Sequence, residues 1–380
     1  MNPISIKNAV CLLLACAFAA SGCKICRAEK LKTRYLDHSK TTISIVKNGP
    51  EKGRAMLRYT GCGGYLLEWR GAFLALDPFF SNPCMTKFLA RELKTDTATM
   101  GQFFRKTMGQ QRDSAGRLAT ILISHGHYDH LADVPMLFKN HLSNGKTTVF
   151  GSRTVVNLLR SFPDLVADTA RQLADVERNS PTAKGPFEVK SKTTNLPVMR
   201  FWAIPSMHAG HFRFFGSQKM PCIGGHVNEP LPQPPLAPTD WKEGLNFNWL
   251  IDLLDEKGDS SVFRIFSNGG SASSAPVGFP PDSILAGKSV DLLLLCGASY
   301  SLVRDYPDSL IEKIRPRLGF VGHWENFFRP AETLKKAPAV VPNTNIPKLM
   351  RELEKKSAKR GFPEKWLLGK PLETEIELRF

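Results

Sequence analysis

Leu118-Ala119-Thr120-Ile121-Leu122-Ile123-Ser124-His125-Gly126-His127-Tyr128-Asp129-His130-Leu131 joins an apolar run to a dense cluster of histidine and aspartate. The apolar run from Leu118 to Ile123 predicts a buried strand. Directly after it come four side chains able to bind a metal: His125, His127, Asp129 and His130. A His-x-His pair at a strand end puts two imidazoles on the same side of an extended segment. Asp129 and His130 then fall where the chain turns into a helix beginning near Leu131. Imidazole nitrogen and carboxylate oxygen together suit zinc, and neighbouring positions that face different ways suit two ions better than one.

Outward from this stretch, strand and helix patterns alternate. Met56 to Tyr59, Gly64 to Trp69 and Ala72 to Leu76 read as strands, the last ending at Asp77-Pro78. Helical patterning over 85–118 reads as an insertion before the metal-binding strand. Val134 to Leu142 and Arg153 to Ser161 read as helices, and Thr148 to Phe150 as a strand. Val198 to Ile204 is a strand that leads to His208, with His211 three residues on. Phe247 to Leu254 and Ser261 to Phe266 flank a turn at Lys257-Gly258 and predict a hairpin. Val290 to Leu295 and Leu318 to Val321 are further strands, the second ending at His323. Potential ligands thus sit just past strand ends, where loops of α/β folds converge on one edge.

The His-x-His-x-Asp-His pattern resembles the signature of the metallo-β-lactamase superfamily. Cys62-Gly-Gly-Tyr-Leu-Leu-Glu-Trp69 followed by Leu76-Asp77-Pro78 resembles that family's opening hairpin. Val290-Asp-Leu-Leu-Leu-Leu-Cys-Gly297 and Gly322-His323-Trp324 resemble its later motifs, most closely in the ascorbate-phosphate-lactonase-like and N-acyl-phosphatidylethanolamine-phospholipase-D-like branches. The resemblance spans about residues 55 to 330. It implies an αββα sandwich of four layers. It further implies that His125, His127 and His208 bind one ion, and that Asp129, His130 and His323 bind a second. The implied cofactor is zinc, one or two ions, with manganese or iron as alternatives. In the same family a bridging acid is expected after the next strand. Phe266-Ser-Asn268-Gly-Gly270 stands there instead, so Asn268 offers at most a weak, uncharged ligand. Without that carboxylate, repulsion between two dications is less compensated and the second ion is held more weakly. Asp129 is expected to orient water as well as ligate, and His211 to hold substrate or protonate a leaving group.

The remainder of the chain bounds the setting. Its 380 residues, 42% hydrophobic and 23% charged, are those of an ordinary globular protein. A formal net charge of +16 favours anionic partners, either small molecules or lipids. No stripe of basic residues interleaved with aromatics points to nucleic acid. Lys7 followed by the apolar run Ala9 to Ala20 reads as a secretory signal. Ala20-Ser-Gly-Cys23 looks like a bacterial lipobox, which implies lipidation of Cys23 and a membrane anchor on the periplasmic side of the cell envelope. Cleavage as an ordinary signal near Ala17-Phe-Ala19 is the alternative. The other mature cysteines read as small buried hydrophobes or one disulfide. The expected organisation is a signal peptide over 1–22, a tether over 23–54, the metallo-β-lactamase fold over 55–335 and a C-terminal helix and strand over 336–380. Two functions are consistent with these residues: an exported metal-dependent hydrolase of phosphodiester-, phospholipid- or lactone-like substrates, or a non-catalytic metal-binding envelope protein on the same scaffold.

Overall fold

Period-two alternation along apolar strands sorts this chain into four layers. The computed structural model describes residues 40–44, 53–90, 93–108, 118–141, 147–167, 172–177, 182–210, 213–214, 218–219, 224–270, 272–336, 338–342 and 344–380. The expected signal peptide, Cys23 and His211 lie outside the described residues. In chain order the strands are β1 (Lys40–Ser44), β2 (Arg54–Gly61), β3 (Gly64–Trp69), β4 (Ala72–Leu76), β5 (Leu118–Leu122), β6 (Thr148–Gly151), β7 (Gln172–Asp175), β8 (Lys184–Lys190) and β9 (Pro197–Ser206). They continue with β10 (Arg213–Phe214), β11 (Gln218–Lys219), β12 (Asn246–Leu254), β13 (Ser261–Asn268), β14 (Leu292–Cys296), β15 (Leu318–Gly322), β16 (Lys365–Leu368) and β17 (Glu375–Arg379). One mixed sheet has the order β1-β17-β2-β3-β4-β5-β6-β7, and a second has the order β16-β15-β14-β13-β12-β9-β8. The short strands β10 and β11 pair with each other.

On β3, Tyr65, Leu67 and Trp69 point into the core between the sheets, while Leu66 points out. On β12, Trp249, Ile251 and Leu253 point in and Leu250 out; β14 splits Leu292 and Leu294 from Leu293 and Leu295 in the same way. Both faces of each sheet are therefore apolar and both must be covered. Phe103, Phe104, Leu137, Phe138, Leu158 and Leu159, on helices Thr97–Met108, Val134–His141 and Arg153–Arg160, cover the outer face of the first sheet. Helices Asp308–Ile314 and Ile346–Arg360 cover the second with Leu310, Ile311, Leu349, Met350 and Leu353. The order helix, sheet, sheet, helix is the αββα sandwich.

The expected domain organisation is altered at two places. Residues 40–44, inside the expected tether, form an edge strand parallel to β17. The stretch 85–118 holds helices Met85–Leu89 and Thr97–Met108, and Leu118 already belongs to β5.

Strand direction explains why the site forms where it does. Strands β4 and β5 are parallel, and β2 runs the same way because two antiparallel pairings separate it from β4. In the other sheet β13, β14 and β15 are parallel, and β9 shares their direction through the two antiparallel pairings of β12. The carboxyl ends of these strands therefore deliver Cys62, Asp77, the His125 loop, His208, Asn268 and His323 from same-facing ends within each sheet.

Candidate metal centre

The His125 loop is pinned from several sides. The Ser124 amide donates to Asp77 Oδ1 at 2.7 Å, the Gly126 amide to the Glu243 carbonyl at 2.8 Å, and the Phe247 amide to the Ser124 carbonyl at 2.8 Å. Gly126 must be glycine for this closeness: a Cβ there would lie 2.2 Å from the Lys242 carbonyl oxygen. After His127, in extended conformation, the chain enters the helical turn Tyr128–Leu131. His125, His127, Asp129 and His130 are all buried.

His125, His127 and His208 form one donor group, each offering a ring nitrogen within 4.8 Å of the others. His125 Nε2 and His127 Nδ1 are 2.9 Å apart. Two nitrogens bound to one tetrahedral zinc at ~2.0–2.1 Å stand about 3.3 Å from each other, so the pair needs only a small adjustment to share an ion. His208 Nδ1 contacts the Ala209 carbonyl oxygen at 2.6 Å. A carbonyl only accepts, so Nδ1 carries the proton and Nε2 keeps the lone pair that a metal requires. Burial, followed by neighbouring histidines, holds His125 and His127 well below the ordinary imidazole range. Both stay neutral near pH 7, the form that ligates.

The second donor group is Cys62, Asp129 and His323, again within 4.8 Å of one another. His323 Nε2 lies 3.5 Å from Asp129 Oδ2, and His130 Nε2 lies 3.6 Å from the same oxygen. On its other side His130 Nδ1 faces Asp77 Oδ2 at 3.4 Å. Burial by itself raises the Asp129 carboxyl, but His130, His323 and His127 outweigh it and hold it below the usual carboxylate range. Burial lowers His130, yet Asp129 and Asp77 prevail and its pKa is raised. His323 Nδ1 is buried without a hydrogen-bond partner. Soft sulfur, imidazole and an ionised carboxylate make a donor set that fits zinc.

Cys62 is the residue that the sequence reading passed over as a ligand. Cys62, Cys84 and Cys296 are free thiols, so no disulfide joins these three, and Cys62 is fully buried. Its one signal in the sequence is its place in a Cys-Gly-Gly turn at a strand end, as for the other donors. Asn268, the possible weak ligand, is engaged at both ends of its amide. Its Oδ1 accepts from the Tyr306 hydroxyl at 2.6 Å, and its Nδ2 donates to Asn248 Oδ1 at 3.3 Å. Trp324 is a core residue whose Nε1 donates to the Gly369 carbonyl.

Residues 75–231 match the beta-lactamase superfamily domain Lactamase_B_2, a span that includes His125 to His130 and His208. No curated protein matches the chain. Similar solved structures include Igni18, a novel metallo hydrolase from the hyperthermophilic archaeon Ignicoccus hospitalis KIN4/I. It is 14% identical, with a TM-score of 0.47, over 86% of this chain and 100% of that one. The metallo-beta-lactamase fold protein YhfI from Bacillus subtilis is 13% identical, with a TM-score of 0.43, over 86% of this chain and 100% of its own. An isothiocyanate hydrolase from Delia radicum gut bacteria is 10% identical, with a TM-score of 0.44, over 84% and 98% respectively. At such identities and scores no activity passes from these proteins to this chain. Over residues 75–231 the chain is therefore similar to the beta-lactamase superfamily domain, within an αββα sandwich that carries the His/Asp/Cys groups, and no single branch is distinguished.

Proposed function

We propose that this chain is an exported metal-dependent hydrolase of anionic phosphodiester-, phospholipid- or lactone-like substrates. The observation that carries the reading is the donor group of His125, His127 and His208, with Asp129, His130 and His323 beside it. A divalent cation held there would supply Lewis acidity toward water and toward the scissile oxygen. The chain's residues do the remainder. His125 and His127 are kept neutral by burial and present lone pairs at neutral pH. Asp129 stays ionised, so it is a poor proton acceptor and a good orienter: its carboxylate faces both His323 and His130 and would accept a hydrogen bond from the attacking water. The Asp77 carboxylate holds both the Ser124 amide and the His130 ring, tying the loop to β4. A net charge of +16 favours an anionic substrate, and His211 is assigned to substrate contact or leaving-group protonation. Export and anchoring rest on the apolar Ala9–Ala20 run and Cys23.

The soluble form lacking residues 1–23 tests this reading by its metal content and by turnover of phosphodiester, lactone and ester substrates. Turnover that survives both chelation and His127→Ala unchanged would refute it. Palmitate labelling of the full chain, abolished by Cys23→Ala, tests the anchor. A second reading, a non-catalytic metal-binding envelope protein, draws on Asn268 standing where an acid is expected. Stoichiometric metal with no turnover across the panel would favour it.

A further inference from the structure

We propose that Cys62 ligates the second metal ion, its thiolate standing in for the acid that is absent at Asn268. The inference rests on the metal-centre reading above and concerns how that centre is balanced. Its geometric basis is the closed set of Cys62 Sγ, an Asp129 oxygen and a His323 nitrogen, all within 4.8 Å.

The turn between β2 and β3 brings the thiol to that place. Gly61, Cys62 and Gly63 have φ of 118°, 49° and 71°, three successive positive values. Glycine adopts such angles readily, whereas the Cys62 side chain is strained there. Gly63 then permits close approach to the segment after β13: a Cβ on Gly63 would lie 2.1 Å from the Gly269 carbonyl oxygen. The Cys62 turn is therefore packed onto Asn268-Gly269, the segment where the bridging acid was expected. With Asn268 engaged by Tyr306 and Asn248, the thiol is the group from this neighbourhood that can supply the lost negative charge.

A buried carboxylate holds Cys62 and His323 in register. Glu325 is fully buried. Its Oε1 accepts from the Cys62 amide, and its Oε2 accepts from the Tyr59 hydroxyl at 2.7 Å and the Trp324 amide at 3.1 Å. The Tyr59 oxygen in turn accepts from the His323 amide at 2.7 Å. One carboxylate and one phenol thus join the backbones of two donors that are far apart in sequence, which makes Glu325 a positioning residue. Thiolate favours zinc, cobalt or iron over manganese and magnesium, so the second position is soft where a carboxylate bridge would have been hard.

Cobalt substitution of the chain lacking residues 1–23 tests this directly. Wild type is expected to bind two cobalt ions and to show a near-ultraviolet thiolate-to-cobalt charge-transfer band that grows with the second equivalent. Cys62→Ser should lose the band and the second ion while keeping the visible bands of the first. Cys62→Asp should regain the second ion without the band. Glu325→Gln should weaken the second ion by about 10- to 100-fold, the usual effect of removing a group that positions a ligand, yet show the band at saturating cobalt. Circular dichroism and melting of each variant report folding. Two tightly bound ions in wild type without the band, or a band that survives in Cys62→Ser, would overturn the proposal and leave the metal-centre reading intact. A single bound ion without the band would do the same. Wild type that binds no cobalt would overturn both.

Discussion

Gly126→Ala is a one-methyl change that should disable the site through backbone contact alone. The added Cβ would lie 2.2 Å from the Lys242 carbonyl oxygen, 3.3 Å from the Glu243 carbonyl oxygen and 3.2 Å from Leu158 Cδ1. Carbon and oxygen normally approach to about 3.3 Å, so one of the two segments must retreat by roughly 1 Å. Retreat breaks the 2.8 Å bond from the Gly126 amide to Glu243, and the methyl overpacks the loop. Adding about 1 kcal/mol for the hydrogen bond to about 1–3 kcal/mol for overpacking gives a loss of about 2–4 kcal/mol in stability. The displaced atoms lie between His125 and His127, and metal sites tolerate errors of only about 0.2 Å in ligand distance. Affinity for the first ion should therefore fall at least tenfold, equivalent to about 1.4 kcal/mol. Denaturant unfolding of the metal-free chain reads the first quantity, and competition with a chromophoric chelator reads the second. Gly287→Ala is the control, since a Cβ there has nothing within 4 Å. A Gly126→Ala protein with wild-type midpoint and wild-type chelator competition would refute the steric account.

Asp252 is fully buried and accepts from Arg264 at 2.6 and 2.8 Å and from Arg200 at 3.0 Å. Asp252→Asn leaves these guanidinium groups without their anion and should cost about 3–5 kcal/mol in denaturant unfolding. Asn345 caps the helix Ile346–Arg360 by accepting from the Lys348 amide, so Asn345→Ala should lower stability by about 1 kcal/mol in the same assay. Burial pushes the Asp133 carboxyl up to about 6, against the Phe80 and Ser81 amides that accompany it. The folded state then holds a proton that the unfolded chain, near the ordinary 3.8, has released. Its stabilisation is complete below pH ~4 and is lost as pH rises through ~6, a change on the order of 3 kcal/mol. Unfolding of wild type and Asp133→Asn with chelator present, across pH 4 to 7, should show this slope in wild type and its disappearance in the variant.

The strands that the sequence reading missed, apart from the pair β10 and β11, are β1, β7, β8 and β16. They are the edges of the two sheets. Three of them have only four or five residues, too few for alternation to show, and β8 is mostly exposed. Central strands such as β12 and β14 are legible because both faces are buried and apolar. The same division runs through the site. His125, His127, Asp129 and His130 lie within six residues, so local geometry brings them together and their spacing alone marks them as one candidate cluster. Through its resemblance to a known family, the sequence also pointed to His208 and His323. Cys62 carries no spacing relation to that cluster. Only the β2–β3 turn, its packing on Gly269 and the Glu325–Tyr59 link to His323 place its sulfur beside Asp129. The partner of Asn268 is equally non-local: Tyr306 reaches its amide oxygen from beyond β14. Contacts close in the chain follow from strand period and turn chemistry, whereas a donor set assembled from separate strand ends depends on sheet order and loop packing, which only the tertiary structure decides.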